Sequence, residues 1–112
     1  MSGITTHVLD TSRGRPVVGL EVELQLKSGS AWKALGTGLT DANGRCVALL
    51  GEQMVEVGVY RLLFRVAPYF QEDHVESFYS EIPIIFEVRD ANAHYHVPLL
   101  ISPFGYSTYR GS

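Results

Sequence analysis

Two histidines stand two residues apart in the segment His94-Tyr95-His96. In an extended strand the side chains alternate between two faces, so His94 and His96 project from the same face. Two neighbouring imidazoles can hold a metal ion, or one can act as a general base while the other orients it. The alternative is a partly buried polar strand at a contact between subunits. The pair is therefore a candidate site whose chemistry depends on which other residues converge on it.

A zinc site at this pair would need a third protein ligand. The candidates are His7, His74, Glu87 and Asp90. The acidic neighbours of His74 indicate an exposed, solvated surface, and no ligand spacing matches a known zinc motif. Because Cys46 is the single cysteine, a four-cysteine zinc site and an intramolecular disulfide are both excluded. We therefore expect chemistry without a metal or any other cofactor.

His7 and Arg45 lie far from the histidine pair in the sequence, but their side chains suit the same chemistry. His7 lies in the sequence TTHVLD, and Arg45 follows an Asn-Gly turn at the entrance to a short strand predicted over residues 45–50. Taken alone, each has an ordinary structural interpretation, as a half-exposed strand histidine and a solvated turn residue. Their chemical meaning depends on whether the fold brings them to the pair.

The sequence argues against catalysis by a serine nucleophile. The sequence GYSTY, residues 105–109, begins like the nucleophile elbow of α/β-hydrolases. Tyr109 stands where that motif has its second glycine, and the elbow needs a strand-to-helix turn that an all-β chain lacks. Gly-rich phosphate loops and dinucleotide-binding fingerprints are absent from the sequence as well. Kinase and dehydrogenase functions therefore have no support.

The composition limits the partners of the chain. Its 112 residues, 46% of them hydrophobic, are predicted to form one domain over residues 1–112. The net charge is -3 and no run of Lys or Arg is present, which argues against a nucleic-acid partner. No stretch approaches the ~20 apolar residues of a membrane span, and the first residues lack a signal-peptide pattern. We therefore expect a cytoplasmic protein with no membrane contact.

The hydrophobic pattern has a period of two along most of the chain, which is typical of strands with one buried face. The clearest case is the segment 20–27, where four aliphatic residues alternate with four polar ones. The segment 57–66 is the longest strand candidate, and we expect it near the centre of a sheet, with Pro68 ending it.

Turns and one helix interrupt the strands. Residues 41–44 (DANG) predict a turn because Asn and Gly tolerate positive φ, and the apolar spacing in residues 71–79 predicts a short helix. Pro98 lacks an amide donor, which favours an edge strand or a bulge. Trp32 and Cys46 are most simply core residues. About eight strands at this spacing predict an all-β, eight-stranded antiparallel β-sandwich with one short helix.

Three segments together resemble the transthyretin-related 5-hydroxyisourate hydrolase family. They are residues 6–10 (THVLD), residues 40–45 (TDANGR) and residues 94–112, which close on the sequence YRGS. The resemblance covers the whole chain, and the closing tetrapeptide is a specific hallmark of the family. In that family the closing residues pack into the active site, so the resemblance implies the same position for residues 109–112 of this chain.

The resemblance implies a transthyretin-like fold and a homotetramer with active sites at the interface between dimers. It also implies hydrolysis of 5-hydroxyisourate to 2-oxo-4-hydroxy-4-carboxy-5-ureidoimidazoline. The site residues that it implies are catalytic His7, Arg45 and His96; substrate-binding Tyr109 and Ser112, together with His7 and Arg45; and supporting His94, Arg110 and Gly111.

These residues suit the opening of a cyclic, imide-like ring. Such a reaction needs an activated water, a donor for the oxyanion that forms at the carbonyl, and a polar edge that orients the flat ring. A histidine can accept and return a proton at neutral pH, and Arg45 can present parallel donors to carbonyl oxygens. The sequence leaves open whether His7 or His96 is the base.

Two functions without catalysis compete with this interpretation. Transthyretin itself has the same architecture and carries small aromatic ligands, so a small-ligand carrier is the first alternative. The carriers lack the combination of histidines, arginine and YRGS that this chain keeps. A β-sandwich adhesion module is the second, and it leaves the polar residues unexplained because a fold does not fix a function.

Overall fold

The computed structural model describes residues 3–51 and 53–112. Strands account for most of this part of the chain, as the period-two pattern predicts. The strands are β1 (Gly3–Asp10), β2 (Arg15–Pro16), β3 (Glu21–Ser28), β4 (Ala31–Leu39), β5 (Arg45–Cys46), β6 (Gly58–Phe64), β7 (Ile82–Val88), β8 (His94–Ser102) and β9 (Gly105–Thr108), and the helix is α1 (Ala67–Glu72).

The strands form two sheets that pack face to face. The first sheet has the order β2-β1-β8-β9, with β5 also paired to β1, and the second has the order β4-β3-β6-β7. Alternate residues of β1, β3 and β8 point into the space between the sheets, where Val8, Leu24 and Leu99 are fully buried. The predicted all-β sandwich with one short helix is confirmed, and β6 lies inside its sheet as expected.

Among the described strands, one pair is parallel, whereas the sequence predicted antiparallel pairing throughout. β1 runs parallel to β8, from Gly3 opposite His94 to Asp10 opposite Ile101. Parallel neighbours need a long crossover connection, and here almost the whole chain lies between the two strands. The pairing places the first strand beside the histidine pair.

The helix lies earlier in the chain than predicted. α1 begins at Ala67 and has Pro68 in its first turn, where a missing amide donor costs nothing. His74 has a φ of 58°, in the left-handed region, so the helix cannot continue through the predicted segment 71–79. Phe78, which was expected on the apolar helix face, is largely exposed. The prediction was wrong because Pro68 was interpreted as the end of a strand and not as the start of a helix.

Pro98 lies in β8, which has neighbours on both sides and is not an edge strand. The missing donor instead interrupts the pairing of β8 with β9, which extends only to Leu99 opposite Thr108. Thr108 Oγ1 donates a hydrogen bond to the Pro98 carbonyl at 2.7 Å. Pairing resumes in the same register as a single bridge between His96 and Gly111. Pro98 therefore separates the β8–β9 pairing from the bridge at which Gly111 contacts His96.

Three smaller predictions can be compared with the structure: one strand, two core residues and the number of strands. Of the predicted strand from Arg45 to Leu50, only Arg45–Cys46 forms. Cys46 is buried, as expected, but Trp32 is half-buried and has the Arg61 guanidinium carbon 4.4 Å from its ring centroid, so its assignment to the core was wrong. The part of the chain that the structure describes has nine strand segments where about eight were predicted, and two of the nine, β2 and β5, have only two residues each. No helix within residues 3–51 and 53–112 is long and apolar enough to cross a membrane.

Candidate active site

The outer face of the first sheet carries the predicted histidines. Along β1 the even-numbered residues face the core, so Thr5 and His7 face outward, and β8 presents His94 and His96 on the same side. In the parallel register Thr5 lies opposite His96. Two strands from opposite ends of the sequence thus place their polar side chains on one surface.

Thr5 joins the two histidines of β8. Its Oγ1 lies 3.0 Å from Nε2 of His94 and 2.8 Å from Nδ1 of His96. The two imidazole rings are nearly parallel, with centroids 6.5 Å apart and an interplanar angle of 14°. The prediction that the imidazoles stand side by side is confirmed, and a hydroxyl group lies between them.

A tight turn brings Arg45 to the same surface. β5 pairs with β1 so that Arg45 lies opposite His7. Asp41 Oδ1 accepts hydrogen bonds from the backbone N–H of Asn43 at 2.9 Å and of Arg45 at 3.0 Å. These bonds, with the nearby charges of Arg45 and His7, lower the pKa of Asp41. The carboxylate therefore fixes the backbone from which the guanidinium projects.

Gly44 allows this turn to approach β1. Its φ is 77°, and its carbonyl accepts a hydrogen bond from the Val8 N–H at 2.8 Å. A Cβ atom at this position would lie only 2.5 Å from the Val8 carbonyl oxygen. The Asn-Gly-Arg turn thus needs glycine for both its conformation and its contact.

The last residues of the chain pack directly on His96. The Gly111 N–H donates a hydrogen bond to the His96 carbonyl at 2.8 Å. A Cβ atom on Gly111 would lie 2.6 Å from Cδ2 of His96 and 3.3 Å from Cγ of Pro98. The closing segment therefore contacts both the backbone and the ring of His96.

A cavity of about 570 Å³ opens beside these residues. Four of the predicted site residues line it, namely Arg45, His94, His96 and Ser112. Thr5 belongs to the same polar wall, and the loop after β5 supplies an apolar wall that includes Leu50 and Met54. The volume falls in the range of small-molecule sites, and the mixture of apolar walls with a few polar groups is typical of them.

The surroundings of His96 favour its neutral form. Burial lowers the pKa of this imidazole below its ordinary value of 6.5, and electrostatic interactions with His7, His94 and Arg45 lower it further. A neutral imidazole has one nitrogen that can accept a proton. Nδ1 of His96 is hydrogen-bonded to Thr5. If the ring proton lies on Nδ1, the nitrogen that can accept a proton is Nε2.

Not all predicted site residues meet at this cavity. His7 lies beside Arg45 on the same face but does not itself line the cavity. Tyr109 is 60% exposed and lines a separate cavity of about 210 Å³ against β7. Arg110 places its guanidinium carbon 4.5 Å from the ring centroid of Tyr95 and lines that second cavity. Within one chain, the four closing residues thus divide between two surfaces.

Of the candidate third ligands, His7 shares the sheet face of the histidine pair, whereas the other three lie on other elements. His74 follows α1, Glu87 lies on β7 of the other sheet, and Asp90 accepts a hydrogen bond from Asn92 in a turn. In the described part of the chain, no group of three or more His, Cys, Asp or Glu side chains is placed to hold a metal ion. Burial raises the pKa of the Cys46 thiol, which faces the core.

Sequence reasoning assigned no role to Thr5 or Asp41. Thr5 lies two residues before His7, so strand periodicity places both on one face, but nothing in the sequence indicates that β8 is its neighbour. Asp41 was interpreted only as a turn residue. Asp41 lies two residues before Asn43 and four before Arg45, and an aspartate at the start of a turn often accepts hydrogen bonds from the backbone that follows. That spacing could have identified the role of Asp41.

Known proteins match this chain over nearly its whole length. Residues 4–111 match the model of the HIUase/Transthyretin family. A 5-hydroxyisourate hydrolase of Salmonella typhimurium is 45% identical over 109 residues, which cover 97% of this chain and 80% of the relative. The structure of Klebsiella pneumoniae 5-hydroxyisourate hydrolase aligns with a TM-score of 0.87 and 34% identity over 100% of both chains.

A transthyretin is similar as well. The structure of sea bream transthyretin in complex with thyroxine has a TM-score of 0.91 and 29% identity, covering 97% of this chain and 94% of that one. The fold is therefore shared by proteins named as hydrolases and by a transthyretin. Only the residues at the site can distinguish the two functions.

Proposed function

The chain belongs to the HIUase/Transthyretin family, and from that premise we propose that it hydrolyses 5-hydroxyisourate to 2-oxo-4-hydroxy-4-carboxy-5-ureidoimidazoline. The observation that carries the proposal is the gathering of three imidazoles and one guanidinium on one sheet face, next to a cavity of about 570 Å³. Relatives named 5-hydroxyisourate hydrolase support the choice of substrate.

The reaction needs one base and one set of hydrogen-bond donors. A water molecule loses a proton to the base and adds to a ring carbonyl, and the oxyanion that forms must be stabilised. The C–N bond of the ring then breaks, and the base returns its proton to the departing nitrogen. The carbon side becomes a carboxylic acid, which loses its own proton to solvent and remains as a carboxylate. One imidazole that cycles between neutral and protonated forms can perform both proton transfers.

We assign the role of base to His96. Its lowered pKa keeps the ring neutral at physiological pH, and Thr5 and Gly111 hold the ring and the backbone in place. A base that is neutral before the reaction accepts a proton more readily than one already charged. Because positive neighbours oppose its protonation, the imidazolium also tends to return the proton to the leaving group.

Arg45 and His7 supply the polar edge that binds the ring. The guanidinium keeps its charge at any relevant pH and can donate two parallel hydrogen bonds to carbonyl oxygens. Arg45 lines the cavity together with His96, which supports a role for its guanidinium in stabilising the developing oxyanion. His7 lies opposite Arg45 in the β1–β5 pairing, and its role is to contact the substrate from the side of the guanidinium.

We further propose that a homotetramer completes the site at the interface between dimers. Tyr109 does not line the cavity that Arg45 and His96 share in its own chain but lines a second one, so a contact between Tyr109 and substrate requires a neighbouring subunit. Met54 at the cavity is 81% exposed and Val47 is 66% exposed. Such apolar side chains at the rim of a polar site fit a surface that another subunit covers. Native mass spectrometry of the purified protein measures the assembly directly.

The function is tested with freshly generated substrate. Urate and urate oxidase produce 5-hydroxyisourate in the cuvette, and its decay is followed by ultraviolet absorbance with and without the protein. We expect His96→Asn to lower kcat/KM at least roughly a hundredfold, since general-base catalysis contributes about 10²- to 10⁴-fold.

His74→Asn is the matched control, because it makes the same chemical change at an exposed position, and asparagine tolerates the left-handed backbone there. We expect this variant to keep the wild-type rate. A wild-type protein that does not accelerate the decay would refute the proposed reaction. Equal rates for wild type and His96→Asn would refute the assignment of the base.

The alternative function is a small-ligand carrier without catalysis, which the likeness to a transthyretin in complex with thyroxine favours. Against it, the polar wall of the cavity consists of the side chains that hydrolysis needs, His94, His96 and Arg45. A carrier would bind thyroxine stoichiometrically and leave the decay of 5-hydroxyisourate unchanged. Equilibrium binding of thyroxine alongside the decay assay therefore separates the two functions.

A further inference from the structure

Thr5 occupies a position between two imidazoles that no predicted role explains. Its Oγ1 is within hydrogen-bond distance of Nε2 of His94, at 3.0 Å, and of Nδ1 of His96, at 2.8 Å. The contacts span 89 and 91 residues of sequence, so they depend on the parallel pairing of β1 with β8. The three side chains form one hydrogen-bonded unit on the sheet surface.

The protons in this unit are strongly constrained. A threonine hydroxyl carries one proton and two lone pairs, and each of its two contacts needs one proton between oxygen and nitrogen. Because the hydroxyl can supply only one, at least one imidazole must donate to it. If His96 donates through Nδ1, its Nε2 is left free of a proton. If only His94 donates, His96 must carry its own proton on Nε2.

The charge at the cavity favours the first arrangement. With Nδ1 of His96 turned to Thr5, Nε2 is the ring nitrogen left to face the cavity that Arg45 also lines. A positive charge that lines the same cavity favours a ring nitrogen with a lone pair over one with an N–H group, because the N–H hydrogen is itself partly positive. His94 can then accept the hydroxyl proton on its own Nε2.

We propose that Thr5 is a positioning residue that holds His96 in the tautomer with its proton on Nδ1 and its Nε2 free to accept a proton from water. The inference rests on the proposed function and deepens it, because it identifies what prepares the base. A tautomer is set by the hydrogen bond that the other ring nitrogen makes, and here that bond is to Thr5.

The same unit also relays charge between the two histidines. After Nε2 of His96 takes a proton from water, both its nitrogens are protonated. The Nδ1 proton moves to Thr5 Oγ1 while the Oγ1 proton moves to Nε2 of His94. One N–H and one O–H bond break and one of each forms, so His96 becomes neutral, Thr5 is unchanged and His94 becomes the cation. The reverse transfer restores the proton for the leaving nitrogen.

Two substitutions at Thr5 separate the hydroxyl from the shape of the side chain. Thr5→Val keeps the shape and removes the hydroxyl, and we expect kcat to fall about tenfold to a hundredfold, which is less than the loss of the base itself. KM should change less than about threefold, since Thr5 acts through His96. Thr5→Ser keeps the hydroxyl and should recover most of the lost rate. Thr37→Val makes the same change at an exposed position of β4 and should behave like wild type.

Nitrogen NMR of protein labelled with ¹⁵N-histidine reports the tautomer without any substrate. We expect wild-type His96 to be protonated on Nδ1 and unprotonated on Nε2 at neutral pH, and Thr5→Val to show a mixture of tautomers. A protonated Nε2 in wild type, an unchanged tautomer in Thr5→Val, or a Thr5→Ser variant as slow as Thr5→Val would overturn the proposal. If the wild type fails to hydrolyse 5-hydroxyisourate, the proposed function fails, while the NMR comparison still decides the role of Thr5.

Discussion

Replacing Gly111 by alanine tests whether the closing segment positions His96. The added Cβ would lie 2.6 Å from Cδ2 of His96 and 3.3 Å from Cγ of Pro98, and carbon atoms in proteins do not approach as closely as the first distance. Pro98 is buried within β8 and cannot yield easily. Either the closing segment must move away, or the imidazole of His96 must turn.

The expected effects on folding and on catalysis differ in size. The Gly111 N–H donates one hydrogen bond, to the His96 carbonyl at 2.8 Å, and its loss changes the free energy of unfolding by about 0.5–1.5 kcal/mol. Catalysis is more sensitive, because displacing a catalytic group by about 1 Å can cost a hundredfold in rate. We expect kcat/KM to fall roughly 10- to 100-fold, which corresponds to about 1.4–2.7 kcal/mol of transition-state stabilisation.

The assay is the decay of 5-hydroxyisourate, with thermal unfolding measured on the same samples. Gly105→Ala is the matched control, because a Cβ at that position of β9 would lie 3.7 Å from its nearest neighbour, Ser102 Oγ, which is an ordinary contact. This control should keep both rate and stability. A Gly111→Ala enzyme with wild-type kcat/KM would show that the closing segment does not position His96. An unfolding midpoint that falls to the assay temperature would attribute the rate loss to unfolding instead.

Three further predictions follow from the described contacts. First, the rate should stay high as the pH falls to 6.5 and decline only below it, because the pKa of His96 is lowered in the folded protein; an acidic midpoint above 6.5 in the kcat/KM profile would contradict this. Second, deleting Arg110–Ser112 should reduce kcat/KM far more than the unfolding temperature, and a fully active truncated protein would remove the closing segment from the site. Third, Asp10→Asn should lower the free energy of unfolding at pH 7 by about 1–3 kcal/mol, as measured by urea denaturation at several pH values.

The pH dependence of the Asp10 effect can be derived from its contacts. Burial opposes the charge of this carboxylate, but hydrogen bonds from Ser12, Tyr69 and the Arg13 backbone outweigh the burial and lower its pKa below 3.8. A lowered pKa contributes stability above the unfolded value, and that contribution is lost as the pH falls through the folded value. The difference between wild type and Asp10→Asn should therefore be constant near neutral pH and shrink below about pH 4. A constant difference down to pH 2 would contradict this account.

Several elements could be predicted because their signals are local. In β6, Tyr60, Leu62 and Phe64 are apolar at every second position while two of the residues between and after them are arginines, which indicates the buried face. All three side chains are inaccessible in the fold. The Asn-Gly turn before Arg45 was likewise readable, since Gly44 supplies the positive φ that the turn needs. The site residues on β1 and β8 share a face for the same reason of periodicity.

Other elements were predicted wrongly because a proline is compatible with two different local structures. Pro68 both ends a strand and suits the first turn of a helix, and the contacts of Phe70 in the core favour the helix. Pro98 suits an edge strand in isolation, but in the fold its missing donor instead divides the pairing between β8 and β9. In each case the choice depends on neighbours that are remote in sequence.

The sequence by itself determined the alternation of side chains, the turn that presents Arg45 and, through its resemblance to a known family, the residues worth testing. The tertiary structure alone decided that β1 lies parallel to β8, that Thr5 bridges His94 and His96, and that Tyr109 faces a different cavity from Ser112. Periodicity arises from the backbone of a single strand, so it can be read locally. Register arises from hydrogen bonds and packing between strands about 90 residues apart, and no local pattern encodes that choice.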